Sequence, residues 1–303
     1  MQPITVANHR VAGAPYRASP NVSGALFPTA IMLHYTAGWS AQSAVGWLTM
    51  EAAQASAHVV IDNDGTITQL VDFSRRAWHA GTANKGDMLY PNAEAIGIEM
   101  VNPGFWRVDN TSPTGFCSPD RLPDGSYAPV PAGVVAAYKF GPVTANPVYG
   151  NAPIVWVDCL PKQIEATKAL VTALCAAYPA INRLMLHSDA RSDKSDFLSP
   201  RFPRAEFEAL IPKGRPALPP AVVHVAPPSA PGELRIGMPQ SEEVRALQRE
   251  LVKAGFLPDP RRDAADGWFG AGTERAVRAM QSANGVQPDG IVGAEERALL
   301  GLA

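Results

Sequence analysis

Cysteine is scarce in this chain of 303 residues: Cys117, Cys159 and Cys175 are the only three. Their spacing suits neither a disulfide framework nor a thiolate metal cluster. Free thiols are therefore expected, with Cys117 and Cys159 as the alternative pair. Charge is also modest. Only 18% of residues are charged, and 26 basic against 28 acidic side chains leave a net charge of -2. That balance excludes a nucleic-acid-binding tail and a polybasic membrane patch. No apolar run is long enough to span a bilayer. The opening "MQPITVANHRVAG" has no basic region followed by an apolar one, so no secretory signal is read from it. Synthesis in the cytoplasm is the expectation on that basis.

What is abundant is proline, 29 residues of it, and its densest stretch divides the chain. "PKGRPALPPAVVHVAPPSAPGE", residues 212–233, denies both helix and sheet and favours an extended spacer. The expected organisation is a first domain over 1–211, this linker, and a small second domain over 234–303. Within the first, "TAIMLHYTAG" reads as a buried strand ending in a turn, and Ser40 as the cap of a helix through "AQSAVGWLTMEAAQ". "AHVVIDNDGTITQLVD" reads as a hairpin about Asp64-Gly65, "AIGIEMV" as a strand, "LPKQIEATKALVTALCAAYP" as an amphipathic helix opened by Pro161, and "INRLMLHS" as a further strand. Strands interleaved with helices, plus one hairpin, predict an α/β fold with a mixed central sheet flanked by helices. The Pro-, Gly- and Asn-rich segment between Pro103 and Leu160 is read as a long functional or ill-ordered loop, with Trp106 and Trp156 as cleft wall or anchor. In the second domain "DGWFGAGTERAVRAMQ" and "DGIVGAEERALLG" repeat an Asp-Gly-x-x-Gly-Ala turn into a helix, and "SEEVRALQRELVKAGF" supplies an earlier helix. A compact all-α module of three helices follows.

Chemistry concentrates at two strand ends. His34 closes "IMLH" and His187 closes "LMLH". Taken singly, each is explained as a hydrogen-bonded histidine. Taken together, with the Asp-rich stretch "LHSDARSDKSDF" after the second, they suggest a site holding zinc with one position left for water. Parallel strand ends are where α/β proteins place ligands. Glu99, in the otherwise apolar "AIGIEMV", faces solvent or is buried for a purpose, and is the candidate general base.

These motifs, in the order "IMLHYTAG", "SAHVVIDNDGTITQLVD", "RRAWHAG", "AIGIEM" and "LHSDARSDKSDF", resemble the zinc-dependent N-acetylmuramoyl-L-alanine amidases, a family that includes the peptidoglycan recognition proteins. The resemblance covers roughly residues 28–205. It implies the peptidoglycan-recognition-type amidase fold, zinc held by His34, His187 and Asp196, Glu99 as catalytic base and Lys194 as catalytic lysine beside the last ligand. The family's Pro-Gly is absent from this loop, where Ala190-Arg191-Ser192 stands, so Asp193 is kept as the second choice of ligand and Asp189 as the third. His58 is read as structural, and Trp78 and His79 of "WHAG" as a cleft wall touching substrate. "GMPQSEEVRALQRELVKAGF", "DGWFGAGTERAVRAMQ" and "NGVQPDGIVG" resemble the three-helix peptidoglycan-binding module of cell-wall hydrolases. The resemblance thus implies a monomeric, endolysin- or autolysin-like hydrolase with polymeric cell wall as partner, acting there after release or export. The alternatives are a recognition protein without catalysis, a zinc peptidase cutting within the stem peptide, and a recycling amidase for small muropeptides.

Overall fold

A computed structural model describes residues 3–81, 83–86, 88, 91–148, 152–212, 233–236, 238, 240–257, 265, 267, 269–284, 286 and 290–302. The chain forms two compact units, Met1–Pro219 and Pro220–Ala303. The expected linker lies outside the described residues except for Pro212 and Glu233.

The first unit is built on a five-stranded mixed sheet in the order Arg183–Leu186, Ala30–Tyr35, Ala95–Met100, Val59–Ile61, Ile67–Gln69. The first four strands run parallel and the last closes an antiparallel hairpin. Gly65 sits in that hairpin turn at φ 89, where a Cβ would lie 2.9 Å from the Lys162 carbonyl. Alternation along the strands separates two faces. Ile31, Leu33, Ile96 and Ile98 share one, packed with Ala166, Leu170, Val171 and Leu174. Those four come from the Pro161–Ala177 helix, whose proline occupies the first turn as expected. Buried Gln163 ties this helix to the sheet by donating to the carbonyls of Ile61 (3.0 Å) and Val101 (2.9 Å). The other face is lined by small or flexible residues, Ala30, Met32, Ala95 and Met185, and then by His34, Gly97 and Glu99.

Three expectations need correction. The helix begun by Ser40, whose side chain accepts from the Ser43 amide, ends at Leu48, and Glu51–Ala53 forms a separate 3-10 turn. His187 does not close its strand: pairing ends at Leu186, and His187 opens a four-residue helix. The segment read as a long loop is a second sheet, fully antiparallel, in the order Tyr127–Pro129, Phe116–Arg121, Phe105–Val108, Pro153–Val157, Phe140–Ala145. Its strands are short and broken by turns and register shifts, which disguises them as loop. Trp106 and Trp156 belong to its core, and Trp106 packs among Val130, Tyr138, Val155 and Val157. The three cysteines are free.

In the second unit the described residues contain three helices, Glu242–Lys253, Ala271–Ala283 and Ala294–Leu300, around Val244, Leu247, Leu251, Val277, Met280 and Val292. Ser241 caps the first through the Val244 amide at 3.2 Å. The internal echo has a hydrogen-bonded basis. Val244-Arg245-Ala246-Leu247-Gln248 recurs as Val277-Arg278-Ala279-Met280-Gln281. Each buried glutamine accepts the amide of the next Asp-Gly glycine, Gly267 at 2.8 Å and Gly290 at 2.9 Å. Both glycines have φ near 80, at 81 and 76.

Candidate metal centre and active site

Register assembles the site. His34 pairs with Glu99 across two parallel strands, and Leu33 pairs with Leu186, so His187 emerges beside His34 at the same edge. The row His187, His34, Glu99 follows from the sheet alone. Asp196 arrives on the loop after the short helix, which Asp189 anchors by accepting from the Leu186 amide and Arg204, each at 2.9 Å. Directly after Asp196 the backbone turns through a left-handed Phe197, φ 53. A phenylalanine in that region is strained. Stacking on Phe202, at 4.1 Å between centroids, and edge contact with Tyr35 hold it there. Ser188 Oγ fixes the Asp196 carbonyl at 2.8 Å, and the Tyr35 amide reaches Asp196 Oδ1 at 3.3 Å.

The result is a triangle of donors. His34 Nδ1 and His187 Nδ1 face each other at 3.0 Å, and Asp196 lies 3.8 Å from the first and 3.7 Å from the second. All three residues are buried, at 1%, 7% and 5% exposure. Tetrahedral zinc with bonds of about 2.0–2.2 Å sets its ligand atoms roughly 3.3–3.5 Å apart, so two imidazoles and a carboxylate so spaced fit a divalent ion. The electrostatics agree. Burial, then the neighbouring histidines and Lys194, hold His34 well below its usual pKa, leaving a neutral ring with a lone pair to give. His34, His187 and Asp196 are the cluster that could hold a metal among the described residues.

Asp193 is elsewhere. Its carboxylate takes two hydrogen bonds from the Arg191 guanidinium, each at 2.9 Å, on the surface. Asp189 is consumed in anchoring the loop. The donor triangle therefore contains Asp196 and neither alternative.

Glu99 stands at the floor of the cleft, and its Oε2 is enclosed without a hydrogen-bond partner among the described residues. Burial pushes its carboxyl up to about 8, with Asp196 adding to the rise and Lys194 opposing it. Lys194 lines the same cleft.

Residues 24–201 match the family described as N-acetylmuramoyl-L-alanine amidase, more than half of the chain. The chain belongs to that amidase family. Residues 240–300 match the putative peptidoglycan binding domain. Among curated relatives, the 1,6-anhydro-N-acetylmuramyl-L-alanine amidase AmpD of Haemophilus influenzae is 49% identical over 47 residues, 16% of this chain and 26% of that protein. AmpD of Citrobacter freundii is 24% identical over 159 residues, 52% of this chain and 58% of that protein. The chain thus matches about a quarter to somewhat over half the length of these relatives. Two solved structures are also similar. The AmiD amidase of E. coli, in complex with an anhydro-N-acetylmuramic acid peptide, is 19% identical with TM-score 0.41, covering 100% of this chain and 97% of that one. AmpDh3 of Pseudomonas aeruginosa is 23% identical with TM-score 0.40, covering 97% and 96%.

In this amidase-family cleft, about 690 Å³ in volume, one wall comes from the helix after Ser40 and the other from the second sheet. Trp39 and Trp47 on the first wall, and Phe105, Ser118 and Pro119 on the second, were not singled out from sequence. Trp39 carries a signal, a large apolar group directly before the Ser40 cap; in the structure Trp39 and Trp47 are left 37% and 56% exposed. The second wall carries none, because its segment resembles loop. Trp78, expected in the wall, does not line the cleft. Its amide binds Ser56 Oγ at 2.8 Å and its indole nitrogen Ser23 Oγ at 3.3 Å. His79 does reach the cleft, but both its ring nitrogens are engaged within the protein. His58 is structural as expected, with Nε2 donating to the Arg75 carbonyl and Nδ1 accepting from the Gly97 amide, both at 2.9 Å.

Proposed function

We propose that this chain is a zinc-dependent N-acetylmuramoyl-L-alanine amidase that degrades peptidoglycan, hydrolysing the amide between the lactyl group of N-acetylmuramic acid and L-alanine. One observation carries the reading: an unpartnered carboxylate, Glu99, beside a triangle of donors made by the two buried imidazoles of His34 and His187 with Asp196, on the floor of an open cleft. Family membership and the relatives' names support the same reaction. Residues 1–211 are the catalytic domain, 212–233 the linker and 234–303 the wall-binding domain, with cell-wall polymer as partner and the wall as place of action.

His34, His187 and Asp196 would hold the zinc. When bound, zinc supplies a water acidified toward ~7 and a Lewis acid for the scissile carbonyl. Glu99 takes a proton from the attacking water and returns it to the leaving amine of L-alanine. A carboxyl carried upward by burial is basic enough for the first step and acidic enough for the second. Lys194 brings a compact positive charge on a movable stem to the tetrahedral oxyanion.

Mass spectrometry of digests tests the proposal. Purified peptidoglycan should release intact stem peptides with a free L-alanine amine, and a chelator should stop the release. Replacing the base, Glu99→Gln, should cost about 10²–10⁴-fold in kcat with zinc content unchanged. Peptides clipped internally would establish a peptidase instead. Binding without release would establish a recognition protein.

A further inference from the structure

His79 has no place in the chemistry just described, yet it is half-buried against the site and both its ring nitrogens are engaged within the protein. Its Nδ1 lies 3.0 Å from His34 Nε2, and its Nε2 lies 3.1 Å from the Ala95 carbonyl. The carbonyl only accepts, so His79 Nε2 carries the proton and donates it there. His79 Nδ1 is then the acceptor, and the proton between the rings must sit on His34 Nε2. One lone pair remains on the His34 ring, at Nδ1, which faces His187 Nδ1 and Asp196. From Ala95 outward, one fixed acceptor thus sets the tautomer of two histidines in series.

The ring is held in this position from three sides. Asn92 Oδ1 accepts the backbone amides of both His79 (3.0 Å) and Ala80 (2.9 Å). Gly97 lies directly beneath: a Cβ there would meet His79 ring atoms at 2.4, 2.6 and 2.8 Å. Gly97 lies two residues before Glu99 on the same strand face, so the gap it leaves is part of the wall that carries the base. His34 and His79 meet edge to face at 5.0 Å between centroids.

We infer that His79 is a positioning residue for the metal centre, locking His34 in the Nε2–H tautomer so that Nδ1 is presented to the ion, with Asn92 and Gly97 building the seat that holds it. This rests on the reading of His34 as a metal ligand. Partners that orient a ligating histidine in this way typically govern metal affinity by ~10–100-fold. His79 lines the cleft with both ring nitrogens already engaged, so a substrate contact there, the expectation from "WHAG", would leave it only carbon atoms to offer.

Two measurements on the full-length protein test this. Zinc affinity is determined by chelator competition for wild type, His79→Ala, His79→Gln and Gly97→Ala, each checked for folding by circular dichroism and thermal melting. The expected result is zinc binding weakened ~10–100-fold in His79→Ala and Gly97→Ala, with partial recovery in His79→Gln, whose amide oxygen can still accept from His34. Wild-type affinity in a folded His79→Ala, together with a raised KM, would make His79 a substrate contact and overturn the inference. Wild type that binds no zinc at all would overturn the metal reading itself. Independently of metal, nitrogen-15 spectra of the zinc-free protein should show His34 and His79 both protonated at Nε2. A proton on His34 Nδ1 would refute the relay.

Discussion

Asp193 gives both carboxylate oxygens to Arg191 at the surface, whereas Asp196 is buried between two imidazoles with its carbonyl fixed by Ser188. The two residues are three apart in a loop where Asp189, Arg191, Asp193, Lys194 and Asp196 are all charged. Composition does not separate them, and the family resemblance ranks Asp196 first without its Pro-Gly to fix the register; the bidentate Arg191 pair sets Asp193 apart, and it forms only once the loop is folded. Substitution should therefore have unequal effects. Asp196→Ala removes one of three donors and is expected to weaken zinc binding by more than roughly 100-fold, since even an outer partner governs ~10–100-fold. Asp193→Ala breaks an exposed pair worth about 0–1 kcal/mol and should leave metal content and activity intact. Metal analysis after gel filtration checks both, and the reverse order would move the ligand to Asp193. The placement of His34, His187 and Glu99 at one edge of the sheet was legible because the apolar runs that carry or precede them mark the parallel strands. The seat of His79 was not legible, because it is made by Gly97, eighteen positions away in another strand, and nothing local to "WHAG" reports it.

His58 acts at the scale of elements, because its ring joins three of them. It precedes the Val59–Ile61 strand, donates to Arg75 of the Arg75–Ala77 strand, and accepts from Gly97 of the Ala95–Met100 strand. Burial lowers its pKa to about 4, against the upward pull of those two backbone hydrogen bonds. In the unfolded chain the ring titrates near ~6.5. Between those two values the unfolded chain binds a proton that the folded one refuses, so stability falls as pH drops through the window from about 6.5 to 4. The loss from this residue is on the order of 3 kcal/mol. Urea midpoints at pH 7 and pH 5 should therefore differ more in wild type than in His58→Gln. Equal pH sensitivity in both would show that His58 is not the group responsible. Elements with a strong period were readable in advance: the parallel strands as unbroken apolar runs, the Pro161–Ala177 helix by its spaced leucines. The second sheet was not, because its strands are three to six residues long and interrupted by turns such as Asp124-Gly125. Short antiparallel strands are stabilised by cross-strand neighbours rather than by any local pattern. One cleft wall was hidden along with it.

The two units have separate apolar cores: the largest cluster of the first draws on residues from Val11 to Ile211, and that of the second begins at Leu234. No helix of the described residues is long and apolar enough to cross a membrane. The two clusters share no residue, so the proposed roles can be tested separately by truncation at the proline-rich boundary. A soluble muropeptide meets the cleft by diffusion alone, so loss of residues 212–303 should leave its hydrolysis within about twofold of the full chain. An insoluble wall is different. A module held on it keeps the cleft at an effective concentration on the order of millimolar for a short tether, and avidity of this kind can reach ~10²–10⁴-fold without any new contact at the scissile bond. Truncation should thus slow hydrolysis of sacculi by at least tenfold and abolish co-sedimentation with them, while kcat on the small substrate stays unchanged. The buried glutamines offer a gentler form of the same test. Gln248→Ala leaves the Gly267 amide without its acceptor, a cost of about 1–3 kcal/mol to the second unit only. A variant that melts in the second unit yet still degrades sacculi at the wild-type rate would show that wall attachment comes from the cleft and not from the helical module.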